Sequence, residues 1–116
     1  MSNQPALFEA KTTNADGERL TLYALGEFQS RGKVLAERRL ALDRLRGAFK
    51  RASEKFGVAE LSDKQIAENL ERLGAQVTEV PSFVAKHPFR VTVSDVLAGR
   101  AKSFYSEEIA REKLSA

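Results

Sequence analysis

The sequence predicts an α+β fold in which a small sheet of two hairpins packs against one long, basic, amphipathic helix. Three observations lead to this prediction. An apolar stripe with helical spacing runs through residues 31–56, a capping box opens a second helix at Ser62, and apolar and polar residues alternate over 89–93. The predicted order of elements is β-β-α-α-β-β-α, within a single domain that comprises residues 1–116.

The N-terminal part predicts a disordered leader followed by the first hairpin. Residues 1–5 form the leader, and stretches at 7–11 and 19–25 are interpreted as strands. Asp16 and Gly17 lie between them and tolerate the positive φ angles of a tight hairpin turn. Because both faces of the stretch 19–25 carry apolar side chains, we expect this strand to be covered on both sides or to pair centrally in the sheet.

The long helix is predicted over residues 31–56, where the large apolar side chains recur at alternating spacings of three and four. This stripe is best explained by a helix packed on its own sheet, and the alternative is the seam of a homodimer or another protein contact. Arg38 projects from the middle of the stripe and would need a carboxylate or a partner if it were buried. The candidate interface residues are Leu35, Arg38, Leu42, Leu45, Phe49 and Phe56.

The positive charge of the chain is concentrated in the same stretch. Residues 31–56 hold nine lysines and arginines and three acidic residues, a net charge of +6, whereas the whole chain carries +3. Cations lined up on one helix are suited to contacting successive phosphates, although a solvated charged face has the same composition. The candidate nucleic-acid-binding residues are Arg39, Arg44, Arg46, Lys50 and Arg51 on the helix, with Lys86 and Arg90 on the second hairpin.

The C-terminal half predicts a short helix, a hairpin and a tail. Ser62 and Gln65 match a capping box, and Gly74 ends the helix that follows. Strands at 75–80 and 89–93 form the second hairpin, and residues 106–116 are expected to be a weakly docked tail. The sequence leaves open whether the strand at 75–80 runs parallel or antiparallel to the stretch 19–25.

Several kinds of chemistry have no residues to support them. The chain has no cysteine and one histidine, His87, which excludes disulfides, thiolate chemistry and a zinc site made of histidine and cysteine. Gly26, Gly32 and Lys33 lack the spacing and the hydroxyl of a P-loop. We therefore predict no catalytic residues, no metal and no cofactor. The absence of cysteine fits a reducing cytoplasm, which is the predicted location. With no apolar stretch of about 20 residues, we also predict no membrane partner.

Two functions fit these observations. The first is a small, non-enzymatic, nucleic-acid-associated protein, regulatory or accessory, that contacts phosphates through the basic helix; the sequence does not distinguish DNA from RNA. The alternative is a protein-protein interaction or assembly subunit that oligomerises or docks through the apolar stripe from Leu35 to Phe56.

Overall fold

Helices and a small sheet alternate in the computed structural model, which describes residues 14–81, 83 and 88–115. This part of the chain confirms the α+β class, but it begins with a helix where a hairpin was predicted. The elements are α1 (Asn14–Ser30), β1 (Arg39–Ala41), a 3-10 helix (Leu42–Leu45), α2 (Arg46–Phe56), α3 (Asp63–Arg72), β2 (Gln76–Glu79), β3 (Phe89–Thr92) and α4 (Asp95–Ser115).

The sheet has β3 at its centre, with β1 on one side and β2 on the other, and both pairings are antiparallel. Val91 of β3 lies opposite Leu40 of β1 and Val77 of β2. The predicted second hairpin is therefore confirmed. The prediction of two hairpins is wrong, because in the described residues the third strand is β1, which comes from inside the stretch that was predicted to be helical.

Helix α1 replaces the predicted first hairpin. Residues 19–25 are helical, and Asp16 lies in the first turn of α1 rather than in a tight hairpin turn. Every residue from 20 to 28 is buried, so α1 is covered by its neighbours around most of its circumference. A helix in that position carries apolar side chains on most of its circumference, and over a short run this pattern matches that of a doubly covered strand. The predicted strand at 7–11 and the leader at 1–5 lie outside the described residues.

The predicted helix over 31–56 forms only at its C-terminal end, as α2. Gly32 follows α1 with a φ of 83°, and the chain then crosses to the sheet as β1. Leu40, which a helix would place among charged residues, is instead buried opposite Val91. The helical spacing predicted the wrong structure here because it is purely local. Helical spacing carries no information about tertiary pairing, and residues 39–41 form a strand because they pair with the edge of β3.

Local sequence signals define the start of α3 and the end of α2, as predicted. Ser62 accepts a hydrogen bond from the amide of Gln65 at 3.2 Å, and its own amide donates to Oε1 of Gln65 at 2.9 Å, which completes the capping box. Gly57 follows α2 with a φ of 67°, in the left-handed region that glycine adopts without strain. Both signals depend on neighbouring residues alone, so the sequence contains all that is needed to predict them.

Helix α4 is a single helix of 21 residues that runs through Gly99. Residues 106–115, predicted to be a tail, continue this helix, and the side chain of Glu108 is buried. At its start, Oγ of Ser94 accepts from the amide of Leu97 at 3.1 Å. The carboxylate of Glu37 accepts from the amide of Asp95 at 2.9 Å, so the linker before β1 helps to cap α4.

The core lies between α1 and the remaining elements. Helix α1 packs against α2, α3 and α4, while α3 covers the inner face of the sheet. Helix α4 contributes small side chains, Ala98 and Ala101, and these allow it to approach α1 closely. Large side chains with no more than 2% exposure come from the other elements and include Leu25, Leu42, Leu45, Phe49, Leu70 and Val91.

Candidate nucleic-acid interface

Two of the cations in 31–56 are engaged by a buried carboxylate. Nε of Arg51 and Nε of Arg31 each donate to Oε2 of Glu27 at 2.7 Å, and Nη2 of Arg51 donates to Oε1 at 3.0 Å. Burial alone would raise the pKa of Glu27, but the hydrogen bonds from Arg51 and Arg31 outweigh it and lower that pKa. Arg51, a predicted phosphate ligand, is therefore committed to an internal ion pair.

Two further cations pair with acidic residues on neighbouring helices. Lys55 forms an ion pair with Glu112 of α4. Nε of Arg46 lies 3.4 Å from Oδ1 of Asp63, where α3 begins, and the Arg46 side chain is still 53% exposed. An exposed pair of this kind contributes little to stability. Arg46 can therefore exchange its partner for a phosphate at small cost.

The other five cations of this stretch are exposed, and the structure records no hydrogen bond or ion pair between their side chains and the described part of the chain. They are Lys33, Arg38, Arg39, Arg44 and Lys50. They lie between residues 33 and 50, a stretch whose acidic residues are Glu37 and Asp43. Glu37 is used at the start of α4. Among the described residues, most lysines and arginines with no recorded hydrogen bond or ion pair therefore lie in this one segment of the chain.

The predicted cations follow a path that differs from a single helix. Arg39 lies on the edge strand β1, Arg44 on the 3-10 helix, and Arg46 and Lys50 at adjacent turns of α2. Arg90 lies on the central strand β3 and donates to the carbonyl oxygen of Phe89 at 3.2 Å. Lys86, the remaining predicted ligand, lies outside the described residues.

The outer face of the sheet was not recognised in the sequence as part of the candidate site. Because paired residues point to the same side of an antiparallel sheet, Leu40, Val91 and Val77 face the helices together. The alternate positions face outward. They are Arg39 opposite Thr92 and Gln76, and Ala41 opposite Arg90 and Thr78. The alternation within 76–79 and 89–92 places four of these residues outward from sequence alone, but the contribution of β1 depends on tertiary pairing.

The candidate interface residues are mostly inside the domain. Leu35, Leu42, Leu45 and Phe49 are at most 2% exposed and belong to the core. Phe56 is half-buried, with its ring edge-on to Tyr23 at a centroid distance of 5.6 Å and with the guanidinium of Arg19 above it. The guanidinium of Arg38 was expected within the stripe and is exposed. The apolar stripe is thus occupied by the chain's own core.

A second polar region lies between α1 and α4. Glu108 is buried and accepts from Nη1 of Arg111 at 2.9 Å, with Arg19 3.8 Å away. Arg100 and Glu18 form an ion pair beside an open groove of about 600 Å³ whose floor includes Leu22 and Phe104. These charges pair with one another, so the groove presents no concentrated charge to a ligand.

The described residues contain no group of three histidine, cysteine, aspartate or glutamate side chains placed to hold a metal ion. Within the same ranges, none of the helices is both long enough and apolar enough to span a lipid bilayer. No family model, curated protein or solved structure matches the chain.

Proposed function

We propose that this protein binds nucleic acid by contacting phosphates through the exposed cations of the segment that contains β1, the 3-10 helix and α2. Arg39, Arg44 and Lys50 are the principal ligands, and Arg46 joins them. The observation that supports this proposal is that the cations of 31–56 fall into a paired group and an exposed group. Those near buried or neighbouring carboxylates are paired, while the others are exposed with no recorded partner in the described residues.

The composition supports the same proposal. An exposed lysine or arginine that has no protein partner exchanges counterions for a phosphate and gives salt-dependent affinity. No cysteine is present, and this fits a reducing compartment such as the cytoplasm. The described residues contain no group of three histidine, cysteine, aspartate or glutamate side chains placed to hold a metal ion, and the role we propose is a non-enzymatic one, regulatory or accessory.

The test is fluorescence anisotropy with labelled duplex DNA and labelled single-stranded RNA at two salt concentrations. We expect binding that weakens steeply with salt. A triple variant changes Arg39, Arg44 and Lys50 to Gln and so loses three phosphate contacts. The steepness of log affinity against log salt is expected to decrease by about 3, and the affinity at low salt is expected to fall on the order of 100-fold.

A matched control removes the same charge elsewhere. Lys64 of α3 and Lys102 and Lys113 of α4 are exposed, and changing these three to Gln is expected to leave the salt slope nearly unchanged. Equal losses in the two triple variants would show that only net charge matters, and this would contradict the proposed surface. Absence of binding to either probe at low salt would reject the proposal altogether.

The assembly alternative rests on a different observation. Phe83 is 88% exposed, and aromatic side chains are enriched in protein interfaces. Docking through the apolar stripe would require the core to open, so Phe83 is the better anchor for a second copy or another protein. This alternative predicts an oligomer at micromolar concentration in sedimentation velocity, dissociated by Phe83→Ser, with no nucleic-acid affinity at moderate salt.

A further inference from the structure

The outer face of the sheet has a composition that suits one class of nucleic acid. Its six paired positions carry two guanidinium groups, one carboxamide, two threonine side chains and one alanine methyl, and none carries a carboxylate (Arg39, Ala41, Gln76, Thr78, Arg90 and Thr92). All six are exposed or half-buried. The face therefore attracts phosphate-rich surfaces and offers hydrogen-bond donors at its centre.

The two arginines extend above shorter neighbours. Arg39 stands opposite Thr92, and Arg90 stands opposite Ala41. They are diagonal neighbours on adjacent strands, a relationship that separates them by about 7–8 Å. Two base-pair steps along duplex DNA span a similar distance, about 6.8 Å. Each arginine can therefore reach a different base pair of the same site.

This face lacks what single strands require. Proteins that hold single-stranded nucleic acid stack the bases on aromatic rings, and none of the six outward positions is aromatic. It does hold the side chains that recognise base edges in the major groove. Arginine donates to O6 and N7 of guanine, glutamine pairs with adenine, and threonine and alanine contact the thymine methyl group.

The dimensions of the sheet also fit the major groove. Adjacent strands lie about 4.8 Å apart, so three strands span about 10 Å between the outer backbones. The major groove of duplex DNA is about 12 Å wide and admits a two-stranded β-ribbon, which matches the adjacent strands β1 and β3 that carry Arg39 and Arg90. In duplex RNA the major groove is deep and narrow, and side chains do not reach its base edges.

We propose that the outer face of the sheet enters the major groove of duplex DNA, with Arg39 and Arg90 each donating two hydrogen bonds to a guanine. This inference rests on the proposed function and refines it: Arg39 contacts a base rather than a phosphate, while Arg44, Arg46 and Lys50 contact the flanking phosphates. Arg90 donates from Nη1 to the carbonyl oxygen of Phe89, and this assignment requires its guanidinium to exchange contacts within the protein for the guanine.

The test starts from a pool of DNA duplexes with a randomised centre, selected on the full chain and sequenced. We expect enrichment of a site with guanines two base pairs apart. Arg39→Lys keeps the charge but loses the planar pair of donors, so it is expected to lower the ratio of specific to non-specific affinity on the order of tenfold. Arg72→Lys, an exposed position on α3 outside the proposed surface, is the matched control and is expected to leave this ratio unchanged. Circular dichroism verifies that both variants are folded.

The outcomes separate this inference from the proposed function. Salt-dependent duplex binding without any enriched base, or a selectivity that Arg39→Lys leaves unchanged, overturns the major-groove assignment and leaves phosphate binding intact. Tighter binding to single-stranded DNA or to duplex RNA than to duplex DNA overturns it as well. Failure to bind any of these probes at low salt overturns the proposed function and this inference together.

Discussion

Gly26 of α1 lies directly against Ala101 of α4: a Cβ atom built on Gly26 would be 2.5 Å from the carbonyl oxygen of Ala101. The same atom would also overlap Cβ of Tyr105. The carbonyl belongs to a helix backbone and cannot rotate away, so the two helices would have to separate. The absence of a side chain at Gly26 is therefore what permits the close approach of α1 and α4 at this point.

We predict that Gly26→Ala lowers the free energy of unfolding by about 1–3 kcal/mol, because the added methyl group forces the two helices apart. Gly99 of α4 provides the matched control, since a Cβ there meets no atom within 4 Å. Gly99→Ala is expected to stabilise the protein by about 0.5–1 kcal/mol through helix propensity. Urea unfolding of both variants measures these effects. If Gly26→Ala were as stabilising as Gly99→Ala, the helices would not meet as described.

Removing the charge of Glu27 is predicted to destabilise the protein. Glu27→Gln weakens the hydrogen bonds from Arg31 and Arg51, each of which is charge-assisted, and we expect a loss of about 2 kcal/mol at neutral pH. Glu54→Gln, which changes an exposed carboxylate of α2, serves as the control and is expected to change stability by less than about 0.5 kcal/mol.

The effect of Glu27 has a defined pH dependence. Because the pKa of Glu27 is lower in the folded protein than its ordinary value of 4.5, its contribution is present above that value and is lost as the pH falls through the folded pKa. The stability difference between wild type and Glu27→Gln, followed by urea unfolding from pH 7 downward, should therefore shrink below about pH 4.5. A difference that is constant with pH would contradict the ion-pair assignment.

Tyr23 is predicted to ionise at an unusually high pH. Burial raises the pKa of its phenol above 10.0, and nearby Tyr105, Glu27 and Glu108 raise it further. The protonated phenol of Tyr23 is compatible with the folded protein, so its contribution to stability is fully present below the ordinary pKa of 10.0. This contribution is lost as the pH rises through the raised pKa of the folded protein. In Tyr105→Phe, absorbance of the tyrosinate reports Tyr23 alone. The folded titration curve should lie to the alkaline side of the same variant unfolded in urea, and coincident curves would count against burial of the ring.

The capping box of α3 provides a test of local stabilisation. Ser62→Ala removes the hydroxyl that accepts from the amide of Gln65, and we predict a loss of about 1 kcal/mol. Ser106→Ala, in the interior of α4 and exposed, makes the same chemical change where alanine is the better helix former, so it is expected to be neutral or slightly stabilising. The midpoint of thermal unfolding should therefore fall in Ser62→Ala and stay the same or rise slightly in Ser106→Ala.

Sequence reasoning succeeded where the determinants are local. The capping box at Ser62 and Gln65 defines the start of α3 through adjacent residues, and the alternation over 89–93 predicts a half-buried strand. The α+β class follows from these elements together. Among the candidate site residues, the exposure of Arg39, Arg44 and Lys50 agrees with a contact surface, although only measured binding tests their role.

Sequence reasoning failed where tertiary neighbours decide the conformation. The apolar run from Leu20 to Leu25 suits a strand between two layers or a helix enclosed by other helices, and only α4 and α2 make it the latter. The residues 39–41 become a strand because β3 has an edge to pair with. The engagement of Arg51 by Glu27 joins residues 24 apart in the chain, and no local pattern predicts it.

Contacts between early and late parts of the chain have a consequence for synthesis on the ribosome. Arg39 pairs with Thr92, and α1 is covered in part by α4, which begins at Asp95. During synthesis, the apolar surface of α1 that packs on α4 therefore stays exposed to solvent until α4 has been made. A chain interrupted before Asp95 would keep the α4-facing side of α1 exposed. Such fragments are expected to aggregate or engage chaperones, whereas the completed chain buries this surface.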